Sequence, residues 1–386
     1  MTTAAGQPGR TGGPIYLDYN ATTPVDPRVL DAAMPFLSDH FGNPSTTTPY
    51  GEAAREGVAA ARRQVADLLG CQADDVVFTS CGTESDTLAI RGAVLANPGR
   101  SDHVITQRTE HPAVLETCRA LERLHGVTVT YLPTDEYGQV DPALLESAIT
   151  PSTLLVSIMH ANNETGTLQP IAQLAQIAHR HGALFHTDAA QSVGKIPTLV
   201  AELGVDLLTV AGHKLYAPKG IGALYIRPGV QLEPLLHGGG QEHARRGGTE
   251  NVAWIAALGQ AAAIALAELP TSQTRLQGLR DLLHRQLTDA LGERVRLNGH
   301  PTDRLPNALN VSIDGTVGAE VLAAIPEIAA ATGSACHAGA IEPSPVLVAM
   351  GLSPERASSA LRLSLGRWTT TDDIHDAARI LTTACR

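Results

Sequence analysis

The sequence predicts an α/β fold in which helices cover both faces of a mostly parallel sheet, followed by a smaller α+β domain. The first observation behind this prediction is an alternation, from about Asp74 onward, of short apolar runs with amphipathic stretches. Strands that alternate with helices are typical of parallel sheets, because each crossover helix packs on a face of the sheet. The second observation is a change of pattern after Thr249, where two long helical stretches replace the alternation.

Each predicted element of the large domain has the periodicity of its class. Strands are expected in short apolar runs at 75–80, 103–107, 127–133, 154–160, 183–189, 207–212 and 222–228. Helices are expected at 85–96, 112–124 and 170–182. In sheets of this kind ligands bind at the carboxyl ends of the strands, so a site is expected there.

The region after Thr249 predicts the second domain. Its expected elements are helices at 252–268, 275–291 and 318–325 and strands at 307–313 and 362–367. We predict three parts: a small, polar, Gly-rich and disordered leader at 1–13, a large domain at 30–262, and a small α+β domain built from 14–29 and 263–386.

The composition excludes several classes of protein. Of the 386 residues, 43% are hydrophobic and 17% are charged, which is ordinary for a soluble globular protein. The formal net charge of −11 argues against a general nucleic-acid surface. No apolar run reaches the roughly 18 residues of a membrane helix. The five cysteines are scattered and form no CxxC pair, so we expect neither a disulfide framework nor a structural zinc site, and a cytoplasmic location.

Lysine is rare in this chain. Only three of the 28 basic residues are lysines, namely Lys195, Lys214 and Lys219. Lys214 follows the predicted strand at 207–212, where burial of a charge without a partner is costly. A lysine of this kind suits covalent amine chemistry, for which a lowered pKa activates it. A lysine that snorkels from a strand end explains the same pattern.

A carboxylate follows another predicted strand. Asp188 lies at the end of the strand at 183–189. An Asp in this place is commonly a helix N-cap. It also suits a cofactor with a pyridinium nitrogen, which needs a carboxylate against it. Asp188 and Lys214, at the ends of two strands, can face one such cofactor from opposite sides.

Two strand-to-helix turns add groups to the same edge. The turn at 80–84 offers the free N–H groups of a helix start to a phosphate, with Gly82 in the turn and Thr83 adding a hydroxyl. An ordinary glycine turn with a capping Thr is the alternative. His111, in the next turn, either enters the helix at 112–124 or lies over an aromatic cofactor and moves protons.

One cysteine has an unusual setting. Cys336 lies in the run of tiny residues at 333–339, not on an apolar helix face. Small residues permit a mobile, exposed loop, which suits a thiolate nucleophile better than a core residue. The adjacent His337 is a candidate for lowering the thiol pKa.

Taken together, these segments resemble the cysteine desulfurases of the NifS/IscS type, which are pyridoxal-phosphate (PLP) enzymes. The resemblance runs from about Tyr16 to Trp368, nearly the whole chain. It implies fold type I of the PLP enzymes, with a large domain on a mostly parallel seven-stranded sheet and a smaller α+β domain. The blocks that carry it are YLDYNATTPVDPRV (16–29), FGNPS (41–45), FTSCGTESDTLAI (78–90), TEHPAVLETC (109–118), SIMHANNETG (157–166), HTDAAQSVGKIP (186–197), AGHKLYAPKGIGALY (211–225), HGGGQEHARRGGTENV (237–252), GSACHAGAIEPSPVL (333–347) and LRLSLGRWTT (361–370).

The resemblance implies a set of residues around the cofactor ring. Lys214 binds PLP covalently as a Schiff base. Asp188 pairs with the pyridine nitrogen, and Gln191 reaches the ring hydroxyl. His111 stacks on the ring and moves protons, and Asn163 is a further cofactor contact. Lys195 and Lys219 are then structural.

The resemblance also implies a phosphate site that two subunits share. Gly82, Thr83 and His213 hold the phosphate within one subunit. Thr249 comes from the partner subunit, so we expect a symmetric homodimer.

For the reaction, the resemblance implies transfer of sulfur from L-cysteine. Asn163 and Arg362 hold the substrate carboxylate, Arg362 through a bidentate contact. Cys336 accepts the sulfur as a persulfide, and the substrate leaves as L-alanine. The persulfide then passes to an acceptor protein or a small thiol, for iron–sulfur clusters, thio-cofactors or tRNA thiolation. We expect no direct contact with nucleic acid or membrane.

Three residues depart from the family pattern. Ala211 stands where many members have a serine that contacts the phosphate, which predicts weaker PLP retention. Cys81 stands at a usual glycine, most simply as a packing residue. His337, with the PSPVL segment after it, is similar to the selenocysteine lyases. Selenocysteine lyase activity is therefore the alternative to cysteine desulfurase activity. Further alternatives are an aminotransferase, a decarboxylase or an inactive scaffold that only binds partners.

Overall fold

The structure is a computed structural model that describes residues 13–99, 102–333 and 343–386. Most of the predicted leader at 1–13 lies outside the described residues. Cys336 and His337 do so as well.

The described part of the chain contains strands in three sheets. The strands are β1 (Ile15–Tyr16), β2 (Val76–Thr79), β3 (His103–Gln107), β4 (Thr128–Leu132), β5 (Thr153–Ser157), β6 (Leu184–Asp188), β7 (Leu207–Ala211), β8 (Gly222–Ile226), β9 (Val295–Leu297), β10 (Ala308–Ile313), β11 (Ile328–Ala329) and β12 (Ala360–Ser364). All seven strands expected between 75 and 228 are present.

Helices connect most of these strands. They are α1 (Pro27–Ala33), α2 (Pro35–Ser38), α3 (Pro49–Leu69), α4 (Gly82–Ala96), α5 (Pro112–His125), α6 (Pro142–Ala148), α7 (Ile171–Arg180), α8 (Val200–Leu203), α9 (Val252–Leu291), α10 (Gly318–Ala324), α11 (Pro345–Ala349), α12 (Pro354–Ser358) and α13 (Thr371–Ala384). Many begin with proline after a side-chain N-cap, as at Asp26, Thr48 and Asp141.

The large sheet contains β2 to β8 in the order β2-β8-β7-β6-β5-β3-β4. Strands β3 to β7 are parallel, and β8 is antiparallel to both of its neighbours. The predicted mostly parallel α/β fold is therefore confirmed. The order of the strands reverses between β3 and β5. Strand β4 lies beyond β3 on one side, and β6 and β7 lie beyond β5 on the other. Such a reversal opens a crevice at the carboxyl ends of the central strands.

Two hydrophobic clusters cover the two faces of the large sheet. One packs α3, α7 and the first part of α9 against one face. The other packs α4 and α5 against the opposite face. A third cluster is separate: it joins the second part of α9 to β10, β12 and α13, and it includes Leu17 near the amino end. The domain boundaries at 30 and 262 stay a prediction.

The two long helices expected at 252–268 and 275–291 are one continuous helix, α9, with Pro270 inside it. Proline lacks an N–H and usually breaks a helix. The expectation of two helices was wrong, because packing on both sides of Pro270 keeps the helix continuous: the residues before it belong to the cluster on the large sheet, and the residues after it belong to the third cluster.

Helix α9 is also apolar and long enough, over one 18-residue window, to cross a membrane. However, 56% of that window is buried inside the fold, where α9 packs on α3. The core helix of a soluble protein has the same properties.

The contact between α9 and α3 depends on Gly259. A Cβ at Gly259 would lie 2.5 Å from the Ala61 Cα. We expect Gly259→Ala to destabilise the protein by about 1–3 kcal/mol, because the gain in helix propensity is smaller than the cost of forcing the helices apart. A Cβ at Gly278, on the same helix, would meet no atom within 4 Å, so Gly278→Ala should stabilise by up to about 1 kcal/mol. Thermal unfolding of both variants tests this, and equal stabilisation by the two changes would contradict it.

Candidate active site

The predicted site residues gather at the carboxyl edge of the large sheet. Gly82 follows β2, His111 follows β3, Asp188 ends β6 and Lys214 follows β7. Side-chain ligand atoms of His111 and Asp188 lie within 4.8 Å of each other and of a third residue, Asp86. The structure thus brings together groups that are far apart in the sequence.

The amine of Lys214 is largely buried at the carboxyl edge of the large sheet. Burial lowers its pKa to about 8, and the positive charge of Arg362 acts in the same direction. The carboxylates of Asp188 and Asp18 act against this shift. The Nζ donates a short hydrogen bond to the Asn20 carbonyl oxygen. An amine with this pKa is partly neutral near pH 8 and is therefore a better nucleophile than an ordinary lysine.

Asn20 is a residue to which the sequence assigned no role. Its carbonyl oxygen accepts hydrogen bonds from Lys214 and from the Gln191 Nε2, the latter at 2.9 Å. Its side chain donates to the Asn163 oxygen at 3.2 Å and accepts from the Asn307 Nδ2 at 3.0 Å. It is 1% exposed. The only sequence signal was its place in the block at 16–29.

His111 caps helix α5. Its Nδ1 accepts a hydrogen bond from the Ala113 N–H at 3.1 Å, so in the neutral ring the proton lies on Nε2. Burial lowers the pKa of His111, the Asp188 carboxylate raises it, and Lys214 lowers it further. His111 is therefore a helix-entry residue that also lies near Asp188, and its place over a cofactor stays a prediction.

The start of α4 forms a narrow seat beside β7. A Cβ at Gly82 would lie 3.1 Å from the Ala211 Cβ, so glycine permits the close approach of this helix start to β7. Cys81 is the N-cap of α4, and its Sγ accepts from the Glu84 N–H at 3.4 Å. Thr83, in the first turn, is exposed. The free N–H groups of this helix start are suited to an anion.

His213 closes the same region from the side of β7. Its Nδ1 lies 3.1 Å from the Thr22 Oγ1. Burial lowers its pKa to about 4, and the charge of Lys214 acts in the same direction. The ring is therefore neutral at physiological pH and is a hydrogen-bonding group rather than a cation.

Arg362, on β12, is the cation of the site. It is 5% exposed, and its Nη2 bonds to the Asp18 Oδ1 at 2.7 Å. Its Nε is buried and has no hydrogen-bond partner within the described residues. A buried guanidinium donor without a partner suits an anionic ligand such as a carboxylate.

Two acidic side chains near Asp188 were missed by the sequence reasoning. Asp86, on α4, is 2% exposed, and burial and then the Asp188 carboxylate raise its pKa well above the ordinary value. Its Oδ1 lies 3.7 Å from the His186 Nε2. Burial also raises the pKa of Glu110 to about 8, against the effect of a hydrogen bond from the Met159 N–H. Neither residue was separable by sequence from an ordinary helix or turn residue.

Two predicted site residues are not part of this arrangement. Thr249 is exposed on the segment before α9. Cys336 lies outside the described residues.

The chain is similar to known proteins over nearly its whole length. The family model described as Aminotransferase class-V matches residues 15–376. The chain belongs to the class-V aminotransferase family. A curated relative named cysteine desulfurase IscS, from Dictyoglomus turgidum, is 45% identical over 369 residues, which covers 95% of this chain and 93% of the relative. Another of the same name, from Escherichia coli O139:H28, is 48% identical over 366 residues and covers 94% and 90%.

Solved structures of this class-V family agree. A structure named NifS-like protein has a TM-score of 0.89 and 35% identity, covering 96% of this chain and 98% of that one. A structure described as SspA in complex with cysteine has a TM-score of 0.80 and 37% identity, covering 92% and 99%. The resemblance to cysteine desulfurases, the fold and the predicted cofactor, PLP, are thereby confirmed.

The residues at the carboxyl edge fit this cofactor. A PLP enzyme of the class-V family needs an amine, a carboxylate for the ring nitrogen and a seat for the phosphate. Lys214 supplies an amine of lowered pKa, Asp188 supplies the carboxylate, and the start of α4 at Gly82 supplies free N–H groups for the phosphate.

The lowered pKa of Lys214 predicts how the apoprotein takes up PLP. Only the neutral amine reacts, so the rate of uptake should rise up to about pH 8 and then level. With an ordinary lysine, the rate of uptake would keep rising up to about pH 10.4. Arg362→Gln removes a charge that lowers this pKa, so its profile should move to higher pH.

Stopped-flow absorbance at a series of pH values measures this uptake. Arg379→Gln, at an arginine whose side chain is 68% exposed on α13, is the matched control and should leave the profile unchanged. A wild-type rate that still rises steeply at pH 10 would contradict the prediction.

Proposed function

We propose that this protein is a cysteine desulfurase that converts L-cysteine to L-alanine and transfers the sulfur through Cys336. The observation that carries the proposal is the meeting of the low-pKa amine of Lys214 with Asp188 and Arg362 at one edge of the sheet. Relatives that are 45% and 48% identical over nearly the whole chain are named cysteine desulfurases, which supports the same activity.

We propose the following contacts with PLP. Lys214 binds the cofactor aldehyde through Nζ, Asp188 holds a proton on the ring nitrogen, and Gln191 donates to the ring hydroxyl. His111 lies against the ring with its Nε2 proton available, and Asn163 is a further contact. The helix start at Gly82 and Thr83, with His213, holds the phosphate.

Arg362 and Asn163 orient the substrate. The buried guanidinium has one donor engaged by Asp18 and its Nε without a described partner, which leaves it able to bind the carboxylate of an amino acid. Because Arg362 is buried, water competes weakly for it and the contact also fixes the orientation of the α-carbon toward Lys214.

Bound PLP supplies an electron sink for the electrons released when the α-proton leaves the substrate. Lys214 would be the base that removes this proton at Nζ. Its pKa of about 8 suits that role near neutral pH. His111 moves protons through its protonated form, since only the imidazolium is acidic enough to deliver a proton from Nε2.

Cys336 carries out the sulfur transfer. Its thiolate attacks the substrate sulfur, an S–S bond forms, and the carbon–sulfur bond breaks with its electron pair going to the substrate carbon. Protonation of that carbon and return of a proton to the α-carbon give L-alanine, and Cys336 holds a persulfide. A thiol of an acceptor protein or a small molecule then attacks the outer sulfur and restores the Cys336 thiol.

Alanine release from L-cysteine with a reductant present tests this activity. We expect rapid release by the wild type and a loss of at least about a hundredfold in Cys336→Ala, because the attacking atom is removed. The visible absorbance of bound PLP should persist in this variant. Cys71→Ala, at a partly buried thiol outside the site, is the matched control and should keep its activity.

The same assay separates the alternatives. Alanine mainly from L-selenocysteine that survives Cys336→Ala would replace the proposal with selenocysteine lyase activity, which the Cys336-His337 pair favours by sequence. A 2-oxo acid product would indicate an aminotransferase. An intact absorbance without any product from either amino acid would indicate a scaffold.

We also propose a symmetric homodimer in the cytoplasm, in which Thr249 completes the phosphate site of the partner. The exposure of Thr249 in the single chain supports this, since a phosphate ligand is not expected to face solvent. The described cysteines are all free, which suits a reducing compartment.

Mixed dimers test the shared site. Thr249→Glu places a carboxylate against the phosphate and Lys214→Ala removes the amine, so each variant alone should be inactive. If Thr249 acts in the partner's site, a mixed dimer has one site with both defects and one intact site. Co-expression should then restore activity in proportion to the mixed dimers. No recovery in purified mixed dimers would show that Thr249 acts within its own subunit or not at all.

A further inference from the structure

We propose that Lys195 is a positioning residue that fixes the side-chain amide of Gln191 in the orientation needed to donate to the cofactor ring hydroxyl. This inference rests on the proposed role of Gln191 and deepens it. The family resemblance gave Lys195 only a structural role.

Lys195 holds Gln191 at two points. Its Nζ donates to the Gln191 backbone oxygen at 2.9 Å and to the Gln191 Oε1 at 3.1 Å. Lys195 is 8% exposed and Gln191 is 4% exposed, so little water competes for these contacts. Within the described residues, the hydrogen bonds of this amine go to Gln191 alone.

This contact determines which end of the amide faces the site. A lysine ammonium can only donate, so the atom against it must be the amide oxygen. The amide nitrogen then faces the Asn20 carbonyl, to which the Gln191 Nε2 donates at 2.9 Å. The same carbonyl accepts from the Lys214 Nζ. The order of donors and acceptors from Lys195 to Lys214 is therefore continuous.

The opposite orientation would be unfavourable at both ends. It would place the N–H groups of Gln191 against the N–H groups of Lys195, and its oxygen against the Asn20 oxygen. Both contacts would be repulsive, and buried polar groups would lose their partners. With the observed orientation, the second N–H of Gln191 remains for an acceptor on the site side.

The contact does not require a charged lysine. Burial, and then the charge of Lys214, lower the pKa of Lys195 to about 7. A neutral amine still carries two N–H groups, which equals the number of acceptors that Gln191 offers. Because a neutral amine could also accept from an amide N–H, the Asn20 carbonyl, which needs the Gln191 Nε2 as its donor, maintains the orientation in that state.

The local backbone explains why Lys195 returns to Gln191. The chain turns after Asp188, and Gly194 adopts a left-handed conformation with φ of +74°. A Cβ at Gly194 would clash with Leu215. Glycine therefore permits the tight turn that brings the side chain four residues on back over the amide.

The absorbance spectrum of bound PLP tests the inference, since it responds to the hydrogen bond at the ring hydroxyl and is independent of turnover. Gln191→Leu, Lys195→Met and the double variant should shift the visible band and its apparent pKa in the same direction. The double variant should shift no further than Gln191→Leu alone, because both changes remove one interaction. Each single variant should also retain PLP about fivefold less tightly.

Lys219→Met is the matched control, because Lys219 is exposed and removing it takes away the same functional group. It should leave the spectrum unchanged. If Gln191→Leu leaves the spectrum unchanged, the proposed role of Gln191 is wrong. If Gln191→Leu shifts it and Lys195→Met does not, or if the two shifts add in full, the inference on Lys195 alone is overturned.

A second measurement does not depend on the folding of Lys195→Met. With only three lysines in the chain, nitrogen-15 labelling of lysine gives few side-chain signals. Gln191→Leu should move the Lys195 Nζ signal and leave that of Lys219 in place. An unmoved Lys195 signal would overturn the contact.

Discussion

Burial of the Lys214 amine at the carboxyl edge of the sheet is the constraint on which the rest of the site depends. An amine kept away from water favours its neutral form, and Arg362 nearby strengthens this preference. The groups around the Lys214 Nζ then have to accept its hydrogen bonds without raising its pKa to the usual value of a lysine. The Asn20 carbonyl provides such an acceptor. Asp188 lies close enough to act on Lys214 and His111 electrostatically.

The site also joins parts of the chain that belong to different hydrophobic clusters. Lys214 and Asp188 follow strands of the large sheet, whereas Arg362 lies on β12 beside β10. Asn20 contacts both parts of the chain. Its carbonyl accepts from Gln191, which follows β6, and its N–H donates to the Oγ of Ser364 on β12 at 2.9 Å. The short segment near the amino end therefore contacts both Lys214, through Asn20, and Arg362, through Asp18.

The sequence was sufficient for the fold class and for the positions of the main functional side chains. The periodicity of apolar residues and the alternation of strands with helices predicted the parallel sheet. The positions of Lys214, Asp188 and His111 at the ends of predicted strands indicated that these residues meet at one edge. It was insufficient where a role depends on three-dimensional neighbours. Asp86 is a polar residue on a helix by sequence, and only its packing against β6 reveals a buried acid next to Asp188. The two helices expected at 252–268 and 275–291 are one helix for a similar reason, since packing of both halves of α9 in two clusters overrides the proline between them.

The distribution of the three lysines has a practical consequence for handling the protein. Lys195 is enclosed beside Gln191, and Lys214 is largely buried at the edge of the sheet. Lys219 is the one exposed lysine side chain. Among the lysine side chains, reagents that couple to ε-amines would therefore attach at Lys219, next to β8. A dye joined to this side chain would mark a known point of each chain.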